Sequence, residues 1–321
     1  MPRCLEAIKR QNFKDYEVIL CDDCSTDNTV EVVNKFIADN PEMDITLLVN
    51  EKNLGVLGTR NRMLDSARGK YIMFCDSDDW MDDNCLEVLA RYTDDDPDRI
   101  IAQFRDVDQD GKLVQVQDLP EHPNKWICGV HHGSVYRRQI FVDNNIKFER
   151  RYPDDVYINV LFNKHCSKVT FVHETIFNWY VHTDSQSRTP KADSPWIGHR
   201  LLDSAASYIM PVMNEHLTGD KAGEREYLEL MLIKIYCLSI YSVQGLPLKT
   251  LLGEYKSCRK IMNEIDPDYL SNRFLKRSVE SPMRDYATKI VRMTSAFEKL
   301  HLIKPALVCY FLISKVHYFD M

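Results

Sequence analysis

The sequence predicts an α/β fold followed by a mostly helical C-terminal region, on three observations. Between residues 17 and 75, short apolar runs alternate with amphipathic stretches of helical period. Two of those runs end in clustered carboxylates. Beyond Pro195 the pattern is helical almost throughout. Strands alternating with helices through short loops imply βαβ units and a parallel sheet.

Taken in order, Leu5 and Ile8 mark a short helix ending near Asn12. Glu17-Val18-Ile19-Leu20-Cys21 is a continuous apolar run, the pattern of a strand buried on both faces. It ends in Asp22-Asp23-Cys24-Ser25-Thr26-Asp27-Asn28, rich in cap and turn residues. A helix follows with Val30, Val33 and Ile37 on one face. Next come a strand at Ile45–Val49, a polar loop over 50–58, and a helix from Thr59 stopped by Gly69. The run Tyr71–Cys75 then delivers Asp76-Ser77-Asp78-Asp79-Trp80, and a strand continuing through it would turn Asp76 and Asp78 to one side.

From Arg99 the period changes. Arg99–Val107 and Lys112–Gln117 flank Gln109-Asp110-Gly111, a hairpin with Asp-Gly at its turn. Residues 155–166 have the pattern of a helix and Val169–His173 that of a strand, and the polar stretch 185–195 is a linker. Helices follow at Tyr227–Tyr241, Leu251–Ile265, Ala287–Leu300 and Ala306–Ile313. The last is bracketed by Lys304 and Lys315 and carries Tyr310 and Phe311, with Tyr318 beyond. That composition is compatible with a packed helix, a homodimer contact or a peripheral membrane contact.

With 321 residues and 44% hydrophobic content the chain can bury a large core. A net charge of −7 argues against nucleic acid as a partner, because duplex binding leans on Lys and Arg. The ten cysteines lack disulfide-framework spacing, and no leader pattern precedes the first helix, so reduced thiols and a cytoplasmic location are expected. No apolar run reaches the roughly 18 residues of a bilayer span.

All strand carboxyl ends of a parallel sheet share one edge, where ligands bind. Asp22-Asp23 and Asp76-Ser77-Asp78 are therefore expected to open into one cleft. Carboxylates crowded there repel unless a cation or a donor-rich ligand relieves them. A helix-start acidic cluster is the bland alternative for Asp76–Asp79. Neither glycine-rich phosphate loop is present, so a diphosphate would be held by metal and basic side chains. Arg60 is the nearest basic candidate. Cys21-x-x-Cys24 has no second pair at zinc spacing.

These motifs resemble the family-2 glycosyltransferases of the GT-A fold, the group that builds bacterial surface polysaccharides. The matching stretches are Arg3–Ile8, Asp15–Asp27, Asn53-Leu54-Gly55, Arg60-Asn61, Gly69–Trp80, Val135–Arg138 and Asn145–Phe148. They cover roughly residues 3–188. Cys24 stands where the family usually has Gly. The resemblance implies a Rossmann-like mixed sheet flanked by helices, with a catalytic domain over 1–190 and a helical region over 191–321.

It further implies a nucleotide-sugar donor, a UDP-sugar first among them, and a glycan or lipid-linked acceptor at the inner face of the cell membrane. By that similarity Asp22 and Asp23 lie at the nucleotide, Asp23 touching the base, and Asp76 serves the ribose or the metal shell. Asp78 ligates Mn2+ or Mg2+, and His182 is a further metal ligand or diphosphate contact. The family often has Arg where this chain has Tyr180. Asp154-Asp155 occupies the place of the family's base, with Asp155 as base, Asp154 as acceptor contact and inversion at the anomeric carbon as outcome. His131 and His132 are candidates for the acceptor side.

One departure stands out. Family members begin with an apolar strand ending in Pro-x-Tyr-Asn, interior to the sheet, ahead of the helix that Arg3 begins here. A truncated chain, a gap filled by another segment or partner, and a non-catalytic relic are the three readings. An active transferase is therefore set against an impaired GT-A-like binding or scaffold protein. A nucleotidyltransferase is the third class, and it would need a triphosphate loop.

Overall fold

A computed structural model describes residues 1–127, 130–181, 198–215, 222–241 and 247–314. The chain forms two compact units whose segments interleave. The first comprises Met1–Asp118, Val130–Arg150 and His165–His182, and the second Leu119–Gly129, Arg151–Lys164 and Thr183–Met321.

The first unit runs α1 (Pro2–Lys9), β1 (Val18–Asp22), α2 (Thr29–Asp39), β2 (Ile45–Val49) and α3 (Gly55–Ser66). It continues with β3 (Tyr71–Met73), β4 (Trp80–Met81), α4 (Cys85–Ala90), β5 (Arg99–Val107) and β6 (Leu113–Gln117). After these come β7 (Ser134–Arg137), α5 (Arg138–Asp143) and β8 (Val169–Tyr180).

The sheet is mixed rather than wholly parallel. β1 and β2 form a parallel pair, and a six-stranded sheet has the order β3-β7-β5-β8-β4 with β6 on β5. β5 is its spine. One edge takes β7 at Arg99–Ile101 and then β6 from Phe104, both antiparallel, while the other edge takes β8 in parallel. Ile100, Ala102 and Phe104 are buried with Val135, Val172, Ile176 and Phe177.

Among the described residues no ladder joins β1 to β3, so the sheet is in two pieces. The pieces are tied instead by a side chain, since Glu17 accepts from the amides of Arg68 (2.6 Å) and Gly69 (2.7 Å). β1 is accordingly half-buried along Val18–Cys21, not buried on both faces, because only one edge carries a partner.

The predicted Asp-Gly hairpin forms. Asp108 Oδ1 accepts from the amides of Asp110 (3.0 Å) and Lys112 (2.8 Å), and Gly111 supplies φ +76°. The strand expected through Cys75 stops at Met73. Residues Asp76–Asp79 form a turn, closed by the Asp79 amide on the Asp76 carbonyl at 3.0 Å.

The second unit is helical: α6 (Asp154–Lys164), α7 (Gly198–Glu215), α8 (Ala222–Tyr241), α9 (Leu248–Ile265), α10 (Asp285–Lys299) and α11 (Ile303–Ser314). α8 buries Leu228, Met231, Leu232, Ile235, Tyr236 and Ile240, more than one stripe, which makes it the central helix. Trp126 and Ile127 join this core from the segment 119–129. No described helix is long and apolar enough to cross a membrane.

Gly133, just ahead of β7, sits at φ +65°, and a Cβ there would lie 3.1 Å from the Ala102 carbonyl oxygen. Gly133→Ala should lower stability by about 1–2 kcal/mol, the usual strain of an L side chain in the left-handed region. Urea denaturation measures it, and an unchanged midpoint would contradict the reading.

Candidate active site

Helix α3 connects the two acidic clusters of the first unit. Its first residues hold Asp23, which accepts from the amides of Leu54 (2.7 Å) and Gly55 (2.8 Å) and from Asn50 Nδ2 (2.8 Å). Gly55 reaches this position with φ +72°. Desolvation opposes charge at Asp23, but these donors outweigh it, and the carboxyl titrates below its ordinary 3.8. Both of its oxygens are thus engaged in fixing the loop ahead of α3.

Asp22, at the end of β1, is the less committed neighbour. It is 7% exposed, and its Oδ2 accepts from the Ser25 amide at 3.1 Å. Its Oδ1 is buried without a hydrogen-bond partner among the described residues. An acceptor left so is costly unless a ligand donor meets it.

One turn further along α3, Arg60 is buried and reaches Asp76. Its Nη2 donates to Oδ1 (2.9 Å) and Oδ2 (3.2 Å) and lies 3.3 Å from His131 Nε2. A guanidinium only donates, so a hydrogen bond in this contact requires the Nε2 lone pair as acceptor. Desolvation works against charge at Asp76, but Arg60 first and then the two histidines hold its carboxyl below the usual range. Ser77 and Asp78 are exposed on the same turn.

Behind the turn Asp79 is only 1% exposed. It accepts from the Tyr180 amide at 2.8 Å and lies 3.4 Å from His132 Nε2. Burial raises its carboxyl despite these two contacts. His132 in turn stacks on Trp179 with centroids 5.0 Å apart. The sequence pattern singled out neither Asp79 nor the closeness of the histidines to Asp76.

Ligand atoms of Asp76, His131 and His132 lie within 4.8 Å of one another. A carboxylate with two imidazoles suits Mn2+ better than Mg2+. Arg60 occupies the inner side of that cluster, and its charge opposes a dication there. The outer side fits better: the Asp76 side chain is 43% exposed, and exposed Asp78 adds hard oxygen donors beside it. His182 lies outside the described residues.

Asp154 and Asp155 belong to the second unit, in the first turn of α6, where negative charge suits the helix dipole. Asp154 is buried and Asp155 half-buried. The segment entering α6 is held on α7, with the Tyr152 amide on Ser204 Oγ (2.8 Å) and the ring of Tyr157 edge-on to Tyr208 (5.2 Å). Burial first, and then the charge of both aspartates, pushes the Tyr208 hydroxyl well up, so it stays protonated beside them.

All described cysteines are free. Cys21 donates to Asn50 Oδ1 at 3.6 Å and Cys24 is exposed at φ +65°, so this pair forms a loop rather than a metal site.

The Asp23 carboxylate, with its folded pKa depressed, contributes stability that is fully present above its unfolded pKa of about 4. That contribution is lost as pH falls through the lower folded value. The gap in urea midpoint between wild type and Asp23→Asn should therefore be full at pH 7 and narrow steadily below about pH 4. A gap independent of pH would show that the charge plays no part.

Comparison with known proteins agrees with this geometry. The sequence pattern described as Glycosyl transferase family 2 matches residues 1–164. The uncharacterised glycosyltransferase YibD of Escherichia coli (strain K12) is 28% identical over 226 residues, 64% of this chain and 63% of that protein. Chondroitin synthase of Pasteurella multocida (strain Pm70) is 36% identical over 89 residues, 28% of this chain and 9% of that protein. The putative glycosyltransferase EpsH of Bacillus subtilis (strain 168) is 25% identical, with 57% of each chain covered. The chain thus spans less than two thirds of each of these relatives.

Among solved structures, S. aureus TarS 1-349 in complex with UDP-GlcNAc superposes with a TM-score of 0.67 at 17% identity, covering 94% of this chain and 88% of that one. That likeness speaks to the fold. With the family pattern over half the chain, the protein belongs to glycosyl transferase family 2, and its fold is the GT-A fold.

Proposed function

We propose that the protein is an inverting transferase that moves a sugar from a nucleoside-diphosphate donor, a UDP-sugar, to a hydroxyl of a glycan or lipid-linked acceptor in cell-surface polysaccharide synthesis. Its catalytic portion is residues 1–190. The observation that carries the reading is the ordered polar frame on α3, where Asp23 and Asp76 are each fixed by donors while Asp22 Oδ1 is buried without a hydrogen-bond partner among the described residues. The relatives' names support sugar transfer, and the TarS complexes with UDP and UDP-GlcNAc support a uridine nucleotide.

In this reading Asp22 and Asp23 receive the nucleotide, with Asp23 reached through its remaining lone pairs. Arg60 holds Asp76 charged and in one orientation, beside the ribose and diphosphate. Asp78 and Asp76, with His182 as the further ligand that the family resemblance implies, would hold Mn2+ or Mg2+. Such an ion would supply Lewis-acid stabilisation of the charge on the departing diphosphate.

Asp155 accepts the acceptor's hydroxyl proton. The oxygen so released attacks the anomeric carbon from the face opposite the nucleotide, forming the new glycosidic bond as the bond to the diphosphate breaks. Asp154, buried in the same first turn of α6, is the acceptor contact in this reading. Inversion follows from a single displacement. An impaired binding protein is the second reading, favoured by the sheet lying in two pieces.

Calorimetry with UDP and MnCl2 separates the two. The active reading expects metal-dependent UDP binding that Asp78→Ala abolishes. It also expects Asp155→Asn to lower kcat by about 10²–10⁴-fold with UDP affinity within about twofold of wild type. UDP binding without turnover in the wild type would favour the impaired reading. A large loss of UDP affinity in Asp155→Asn would remove it from the base role.

A further inference from the structure

The acidic turn is not the only place where like charges gather. In the second unit a cavity of about 410 Å3 is lined by Lys256, Arg259 and Lys260 of α9 and by Lys304 of α11, with Glu264 as the one acid. Its volume falls in the range of small-ligand sites, about 300–1,000 Å3. Residues 256, 259 and 260 lie at i, i+3 and i+4, which places them on one face of the helix. Like charges at that spacing destabilise a helix, and Glu264, 3.7 Å from Lys260, offsets only part of it.

The arrangement has a buried foundation. Glu298 of α10, 2% exposed, accepts from the hydroxyls of Tyr236 (2.5 Å) and Tyr255 (3.2 Å). Burial first, and then Glu298, pushes the Tyr255 hydroxyl up to about 12, so it remains a donor to that carboxylate. Its oxygen also accepts from Arg259 Nη1 at 3.1 Å, and Arg259 Nε lies 3.7 Å from Glu298. The guanidinium is therefore fixed at the cavity wall before any ligand arrives, and 39% of its side chain stays exposed. A pre-oriented fork with flanking ammonium groups is the donor set that suits phosphate.

We infer that this cavity is a binding site for a phosphate group, distinct from the nucleotide reading of the first unit and independent of it. The phosphate can come from a lipid headgroup or from a soluble anion. Leu300 and Leu302, on the turn that leads to Lys304, are 64% and 47% exposed. Apolar side chains beside basic ones suit an anionic membrane surface, so the lipid source is the expected one.

The test uses the full chain, vesicles of phosphatidylglycerol or of phosphatidylcholine, and inorganic pyrophosphate in calorimetry. Lys256→Gln with Lys304→Gln removes two cavity charges from exposed side chains and leaves the buried frame of Arg259 and Glu298 intact. Lys276→Gln with Arg277→Gln, both exposed and outside the cavity, is the matched-charge control. Phosphatidylglycerol binding that weakens about thirtyfold in the cavity variant, from about fivefold per lysine at an anionic surface, and stays at wild type in the control assigns a lipid phosphate. Pyrophosphate binding without vesicle binding, lost in the same variant, assigns a soluble phosphate. Equal loss in both variants, or no binding to either probe, overturns the site.

Discussion

The first unit's polar architecture depends on one buried guanidinium. Arg60 cannot shed its charge, and an unpaired buried charge is far more costly than an exposed one. Asp76 must therefore turn its carboxylate toward α3, which is possible only because the chain leaves the strand at Met73 and turns over Asp76–Asp79. The same guanidinium sits against His131, 3.3 Å from its Nε2. Breaking it by removing Asp76 leaves the cation without its anion, while replacing both partners would spare that penalty. The constraint runs back along α3 to Gly55, whose amide is fixed by Asp23. One helix therefore sets the spacing between the two acidic ends.

Much of this was legible from residue patterns because local signals agreed. Val18–Asp22, Ile45–Val49 and Arg99–Val107 are apolar runs bounded by turn residues, and the Asp-Gly turn has its φ requirement written into Gly111. The acid clusters at strand ends were visible for the same reason. What stayed hidden was what depends on distant partners. Nothing local to Asp79 says that it will be buried against the amide of Tyr180, about a hundred residues later. His131 and His132 read as candidates for the acceptor side, and only the fold brings them beside Asp76 and Trp179. The half-burial of β1 likewise follows from which strand is beside it, a property of the sheet and not of the run itself.

Asp154 and Asp155 make the same point from the other side. Their position at a helix start is a sequence signal, since carboxylates gather where amides are unpaired. That α6 packs with the helical unit is not, because it rests on Ser204 and Tyr208, some fifty residues on. A boundary drawn along the sequence treats 119–129 and 151–164 as parts of the sheet unit, whereas Trp126 and Tyr157 sit in the helical core. Contiguity in sequence is a weak guide wherever a large aromatic finds its neighbours elsewhere.

Charge behaves in the same local way. A formal charge of −7 excludes a polyanion as the default partner only if the charges are spread evenly. They are not. Carboxylates concentrate on one turn of the first unit and ammonium groups on one face of α9. In both places a buried group of opposite sign, Arg60 or Glu298, anchors a charged side chain at the edge of a more exposed cluster. A solvated surface cluster would not need such an anchor, because water and rotamer freedom would relieve it. The anchors hold their partners in one orientation against repulsion, which is the condition under which an ion from solution gains most by binding. The two sites are therefore read by one rule of opposite sign, and neither is visible in the net charge of the chain.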